Sequence, residues 1–161
     1  MSPPHPEIAL LLSLLDQAFD HNAWHGPNLR GSIRGLTAGP ASWRPRPGRH
    51  CIAEVVAHAA YWKYAIRRKL RGDRRGSFAL KGSNWPKLPD PIPDADWRRL
   101  VALLLDEHRA LRAAVAAFDP PRLHRRAPAS RYTSAALIEG VAAHDLYHAG
   151  QVQLLKRLQR G

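Results

Sequence analysis

Apolar residues return every three or four positions in four stretches of the chain, the period that places them on one face of an α-helix. In the first stretch, about 6–22, the stripe is Ile8, Leu12, Leu15 and Phe19. In the second, about 51–70, Cys51, Val55, His58, Trp62 and Ala65 share a face. The third, about 94–118, carries Trp97, Val101, Leu104, His108, Leu111, Val115 and Phe118. The fourth runs to about 158 and carries Leu137, Val141, His144, His148, Gln151, Leu155 and Leu158. Almost nothing reads as a strand, and four amphipathic helices of this length predict an all-α, four-helix bundle.

Local signals set the boundaries. Glu54 stands where the reciprocal partner of a capping box belongs, with Cys51 in place of the usual Ser or Thr. A helix N-terminus can activate a thiol, but a small residue filling a cap is the reading preferred for Cys51. Asp94 and Thr133 are the expected caps of the third and fourth helices, and the DPP of 119–121 closes the third. Between the first two helices, Gly and Pro break regularity except for a short helix around 29–36. The connection over 71–93 carries four prolines, and loops this long in a compact domain border functional sites. Within it, Trp85 either packs over such a site or, as preferred, anchors the loop.

Composition narrows the class. A chain of 161 residues, 45% of them hydrophobic, is expected to form one domain over 1–161. The single cysteine excludes an intrachain disulfide framework and any cysteine-rich zinc module, so a metal would have to be held by His, Asp or Glu. The N-terminal apolar run lacks a basic leader and is interrupted by Asp16, and no window approaches the roughly 18 apolar residues of a membrane span, so a soluble cytoplasmic protein without a membrane partner is expected. Lys and Arg number 25 against 13 Asp and Glu, a formal charge of +12 that raises the question of nucleic acid. The basic residues, such as RRKLRGDRR at 67–75 and Arg122, Arg125, Arg126 and Arg131, fall at expected helix ends and in connections. No nucleic-acid motif accompanies them, and solvated surface is the favoured reading.

HDLYHAGQ at 144–151 carries the chemistry. Residues four apart on a helix differ by about 40°, so His144 and His148 point the same way and can share an ion. Two inward imidazoles need partners, and Val141, Ala142, Ala143 and Ala149 offer none. Metal sites that do chemistry use three protein ligands and keep a position open. Of the nine histidines, His58 and His108 lie on inner stripes, and spacing leaves the choice of third ligand between them. His108 can also bond across the bundle, and His25 either lines a pocket mouth or caps a turn, the turn being preferred. Glu54 can orient His58 or serve only as a cap, Gln151 can bond a ligand or substrate, and Asp145 is expected at the surface or behind a ligand, not as a general base.

The order LTAGPASWRPRPGRHCIAEVVAHAAYWKYAIRRKLRG, NWP and IEGVAAHDLYHAGQVQLLKRL resembles the DinB-like superfamily of damage-inducible bacterial proteins, which are unrelated to the DNA polymerase of that name. The resemblance covers nearly the whole chain. It implies a bundle in up-down-down-up order, usually dimeric, with zinc or nickel held by three histidines. Carried over by position, those ligands are His58, His144 and His148; Cys51 departs from the serine common there. The resemblance further implies a stress or detoxification role. The expected function is that of a metal-dependent enzyme, either a thiol S-transferase using a low-molecular-weight thiol and an electrophile or a hydrolase. The alternatives are a structural or sensory metal-binding bundle and, least favoured, a nucleic-acid-associated protein.

Overall fold

A computed structural model describes residues 5–161; residues 1–4 of the expected domain lie outside the described residues. Among the described residues there are six α-helices and no strand, only an isolated bridge between Arg126 and Thr133. Helix α1 (Pro6–Phe19) ends before the expected 22, because the Asp20 and His21 N–H groups both turn back to the Asp16 carbonyl, at 3.0 and 2.9 Å. Helix α2 (Leu29–Ile33) is capped by Asn28, whose Oδ1 accepts the Gly31 N–H at 2.8 Å. Helix α3 (Ala38–Ser42) was not expected from the sequence, since AGPAS has no apolar period. Tertiary bonds flank it: the Trp97 indole donates to Leu36 O at 2.8 Å, and the Ile92 N–H to Ser42 Oγ at 2.9 Å.

Helix α4 (Ile52–Arg71) begins where the cap signal placed it, and the Cys51 N–H donates to the Glu54 carboxylate at 3.1 Å. It stops at Gly72, whose φ of 74° is the left-handed conformation that glycine adopts without penalty. Helix α5 (Asp94–Ala116) starts one residue earlier than its expected cap implies. Pro93 occupies the cap position, and Asp94 is the first helical residue, where its charge meets the positive end of the helix dipole. Helix α6 (Ser134–Leu158) has the predicted cap, with Thr133 Oγ1 accepting the Ala136 N–H at 3.2 Å.

The four long helices share one interior: α4 packs on α5 and α6, and α1 packs on α6 and α5. Its apolar part falls into two clusters. One gathers Phe19, Ile52, Val56, Trp97, Leu104 and Val152; the other gathers Ile8, Leu15, Ile66, Leu111, Ile138 and Val141. The buried histidines and buried charged side chains lie on three helices: His58 and Lys63 on α4, His108 on α5, Asp145 and His148 on α6. None of these helices is long and apolar enough to cross a membrane.

The buried stripe of α6 differs from the expected one. It comprises Ile138, Val141, Ala142, Asp145, His148, Ala149 and Val152, whereas His144, Leu137, Gln151 and Leu155 are half-buried and Leu158 is exposed. The expected stripe therefore runs along the flank of the helix. Asp145, expected at the surface or behind a ligand, has no accessible surface at all.

Candidate metal centre

His58 on α4 and His144 and His148 on α6 come together, and one nitrogen from each lies within 4.8 Å of the others. Their Nε2 atoms converge: His144 Nε2 stands 3.0 Å from His58 Nε2 and 3.0 Å from His148 Nε2. The other ring nitrogens are engaged behind them. His58 Nδ1 donates to the backbone carbonyl of Asn84 at 2.6 Å, and His148 Nδ1 donates to Gln151 Oε1 at 2.7 Å. Those bonds put the protons on Nδ1 and leave both Nε2 lone pairs aimed inward. His144 can donate to only one of them, so at least one of the two contacts sets lone pair against lone pair. A cation between the rings relieves that, and an ion about 2.0–2.1 Å from each of three nitrogens holds them at about this spacing. The residues present fit a divalent metal.

Electrostatics agree. Burial pushes the His58 ring below its ordinary value against the pull of the Asn84 bond. Burial together with its two histidine neighbours holds His144 at about 3, and burial holds His148 at about 4 despite Gln151. All three are neutral near pH 7, the state in which imidazole binds metal. His144 Nδ1 is buried and has no protein partner, unlike its two counterparts.

The connection between α4 and α5 completes the site. Asn84 adopts φ 60°, a left-handed conformation in which asparagine is more at ease than most residues. From there its carbonyl reaches His58 while its Oδ1 accepts the Trp62 indole N–H at 2.9 Å. Trp85 lies between two rings, stacked on His58 at 3.9 Å and on His50 at 3.6 Å between centroids. The preferred anchoring reading is thus only half of its position, since the ring it stacks on belongs to the histidine cluster. Glu54 does not reach His58. Burial works to raise its carboxyl, but bonds from Arg44, the Cys51 N–H and His50 outweigh it and hold Glu54 at about 2. Arg44 also bonds Asp90 at 2.9 Å, tying the approach to α4 to the loop before α5.

The cluster forms the floor of a cavity of about 700 Å³. Arg46, Arg49 and His50 line one side, and Leu154, Leu155 and Leu158 line another. Gln151 lines it as well. His25 does not: it sits in an exposed turn, where the Gly26 N–H bonds Ala23 O at 3.2 Å. Cys51 is buried, and burial pushes its thiol up, away from reactivity.

His108 lies apart from the cluster. Its ring stacks on Phe19 at 3.7 Å, and its Nδ1 faces the Lys63 ammonium at 3.4 Å. Lys63 in turn makes an ion pair with Asp145, both fully buried. Burial pushes the Asp145 carboxyl up, opposed by the ammonium it touches. Sequence reasoning missed this pair. The signal was present, because Lys63 falls on the stripe of Val56, Ala60, Ile66 and Leu70, and Asp145 on that of Ile138, Val141, Ala149 and Val152.

The helical architecture and the histidine cluster define an all-α protein with three histidines placed so that they could hold a metal ion. The chain belongs to the DinB superfamily, whose sequence description matches residues 21–152. Neither a curated protein nor a solved structure gave a significant match.

Proposed function

We propose that the protein is a metal-dependent enzyme in which His58, His144 and His148 hold a divalent ion, zinc or nickel, and that its reaction resembles thiol S-transfer. The observation that carries this reading is three neutral Nε2 atoms converging at the floor of an open cavity of about 700 Å³. An ion kept only for structure favours a closed, four-ligand site, whereas three ligands beside open space favour chemistry. When bound, the ion supplies positive charge undiminished by its neutral ligands, which acidifies a thiol or water in the open position.

The chain's own residues do the rest. Asn84 and Gln151 fix the ring orientations of His58 and His148. Trp85 covers His58 and keeps water from that face. Arg46 and Arg49 draw an anionic low-molecular-weight thiol toward the cavity, an attraction that added salt weakens. Among the described residues, no carboxylate lines the cavity to serve as general base. The order in which the helices cross the two apolar clusters supports the up-down-down-up arrangement: α4 and α5 run from the Trp97 cluster to the Leu111 cluster, α1 and α6 the reverse. A stress or detoxification role and a homodimer complete the reading.

The test is elemental analysis of untagged protein beside His58→Ala, His144→Ala and His148→Ala. Wild type is expected to hold one divalent ion per site and each variant to lose it. Thiol conjugation to an electrophile panel should vanish on chelation and return with metal. Wild type without stoichiometric metal overturns the proposal, and metal without turnover on thiol and ester panels favours a structural or sensory ion instead.

A further inference from the structure

His144 borders two cavities. Along α6, the large cavity uses positions after it, among them Tyr147, Gln151 and Leu154, while a second groove of about 260 Å³ uses Leu137, Gly140 and Val141 before it. Across the groove stand Trp62 and Ile66 of α4, and Tyr132 lies at its edge. The two spaces therefore approach the same histidine from opposite directions along one helix.

Their chemistries differ. In the groove, the Trp62 N–H is already taken by Asn84 at 2.9 Å, and the Tyr132 hydroxyl is engaged by Arg131 at 2.9 Å. Among the described residues, the lining offers no unengaged polar side chain apart from His144 and the exposed Tyr132 at the edge, whose oxygen accepts from Arg131 while its O–H faces solvent. Such a surface selects for uncharged apolar matter, because a polar ligand would lose its water bonds without replacement. Its volume exceeds the about 150 Å³ that accommodates a benzene ring, so one aromatic ring or a short alkyl chain fits. The larger cavity is the converse at its rim. Arg46 and Arg49 are exposed, neither meets a carboxylate among the described residues, and no acidic side chain lines the space.

We infer that the site takes two partners from two sides of His144: an organic anion through the arginine-rimmed cavity, and a small uncharged apolar molecule in the groove of Trp62, Ile66, Leu137 and Val141. This rests on the metal-centred reading above and narrows its substrate class, giving the anionic thiol one entrance and an apolar electrophile the other. Gly140 keeps the groove open, since a Cβ there meets no atom within 4 Å. A larger side chain at 140 enters the groove from a Cβ with open space around it and replaces a poor helix former by a good one.

The experiment is amide NMR on the full chain with two probes. Toluene, added to metal-free protein, is expected to shift the Ala136, Gly140 and Val141 amides, and Gly140→Leu should weaken that binding at least tenfold. Mercaptoacetate, added to zinc-loaded protein, should bind at least fivefold more weakly to the Arg46→Ala/Arg49→Ala double variant and in added salt, while Gly140→Leu leaves its affinity and the zinc content unchanged. Toluene binding that is absent, scattered through the core or indifferent to Gly140→Leu overturns the groove assignment. So does a change of oligomeric state in Gly140→Leu, which makes the groove an interface between copies. Mercaptoacetate binding indifferent to both arginines overturns the anion entrance. A wild type that binds no zinc defeats the metal reading alone, because the toluene arm runs without metal.

Discussion

Gln151 shows how a single side chain can act through another. Its Oε1 accepts from His148 Nδ1 at 2.7 Å, which keeps the inward nitrogen bare and the ring fixed. Such partners typically change metal affinity about 10–100-fold, so Gln151→Ala should weaken metal binding by that factor in a chelator competition, with little change in the fold. A Gln151→Ala variant of unchanged affinity would show the bond to be incidental. His108 gives a second, independent residue-scale prediction. Burial, then the charges of Lys63 and Arg112, holds it at about 2, against an ordinary 6.5. Between those values the unfolded chain binds a proton that the folded protein refuses. Stability contributed by neutral His108 is complete above 6.5 and falls as pH drops below it, by about 1.4 kcal/mol per pH unit. Denaturation of His108→Gln, which has nothing to protonate, should show a shallower loss between pH 6.5 and 4.5 than wild type; parallel curves would refute the assignment.

At the scale of elements, α4 and α6 each bring part of the histidine cluster, and a buried ion pair joins them. Removing one member leaves the other charge unpaired where water cannot reach it. Lys63→Met should therefore cost about 3–5 kcal/mol in a urea melt, and Lys63→Met/Asp145→Leu should recover much of that loss. If the double variant is no better than the single, the pair is not what sets the cost. The loop before α5 is equally specific, because Asn84 serves two partners from one left-handed residue. The sequence marked this stretch as a long connection bordering a site, and it borders the histidine cluster. What it touches was not readable there, since Gly and Pro announce a break in regularity but not where the broken segment lands. Helix α3 escaped notice for a related reason: its flanking bonds come from Trp97 and Ile92, far along the chain.

For the whole molecule, the metal reading predicts a linkage between ion and stability. An ion that binds only the folded chain adds about 2.7 kcal/mol at a hundredfold excess over its Kd, about 5–11 °C in Tm for a domain of this size. Zinc titration followed by calorimetry should show that rise in wild type and its absence in His148→Ala; an unchanged Tm would count against a folded-state site. The amino-acid sequence by itself determined the four long helices, most of their start points, and the coincidence of His144 and His148 on one side of the last. Periodicity, caps and breakers are local, and local interactions suffice to state them. Helical spacing left His58 and His108 open and the family resemblance chose His58; that it meets His144 and His148 came only from the register between α4, α5 and α6. So did the burial of Lys63 and Asp145, the stacking of Trp85 on His58, and the division of space on either side of His144. A helical period gives a direction around one axis; which residues meet across two axes is decided by how the helices pack.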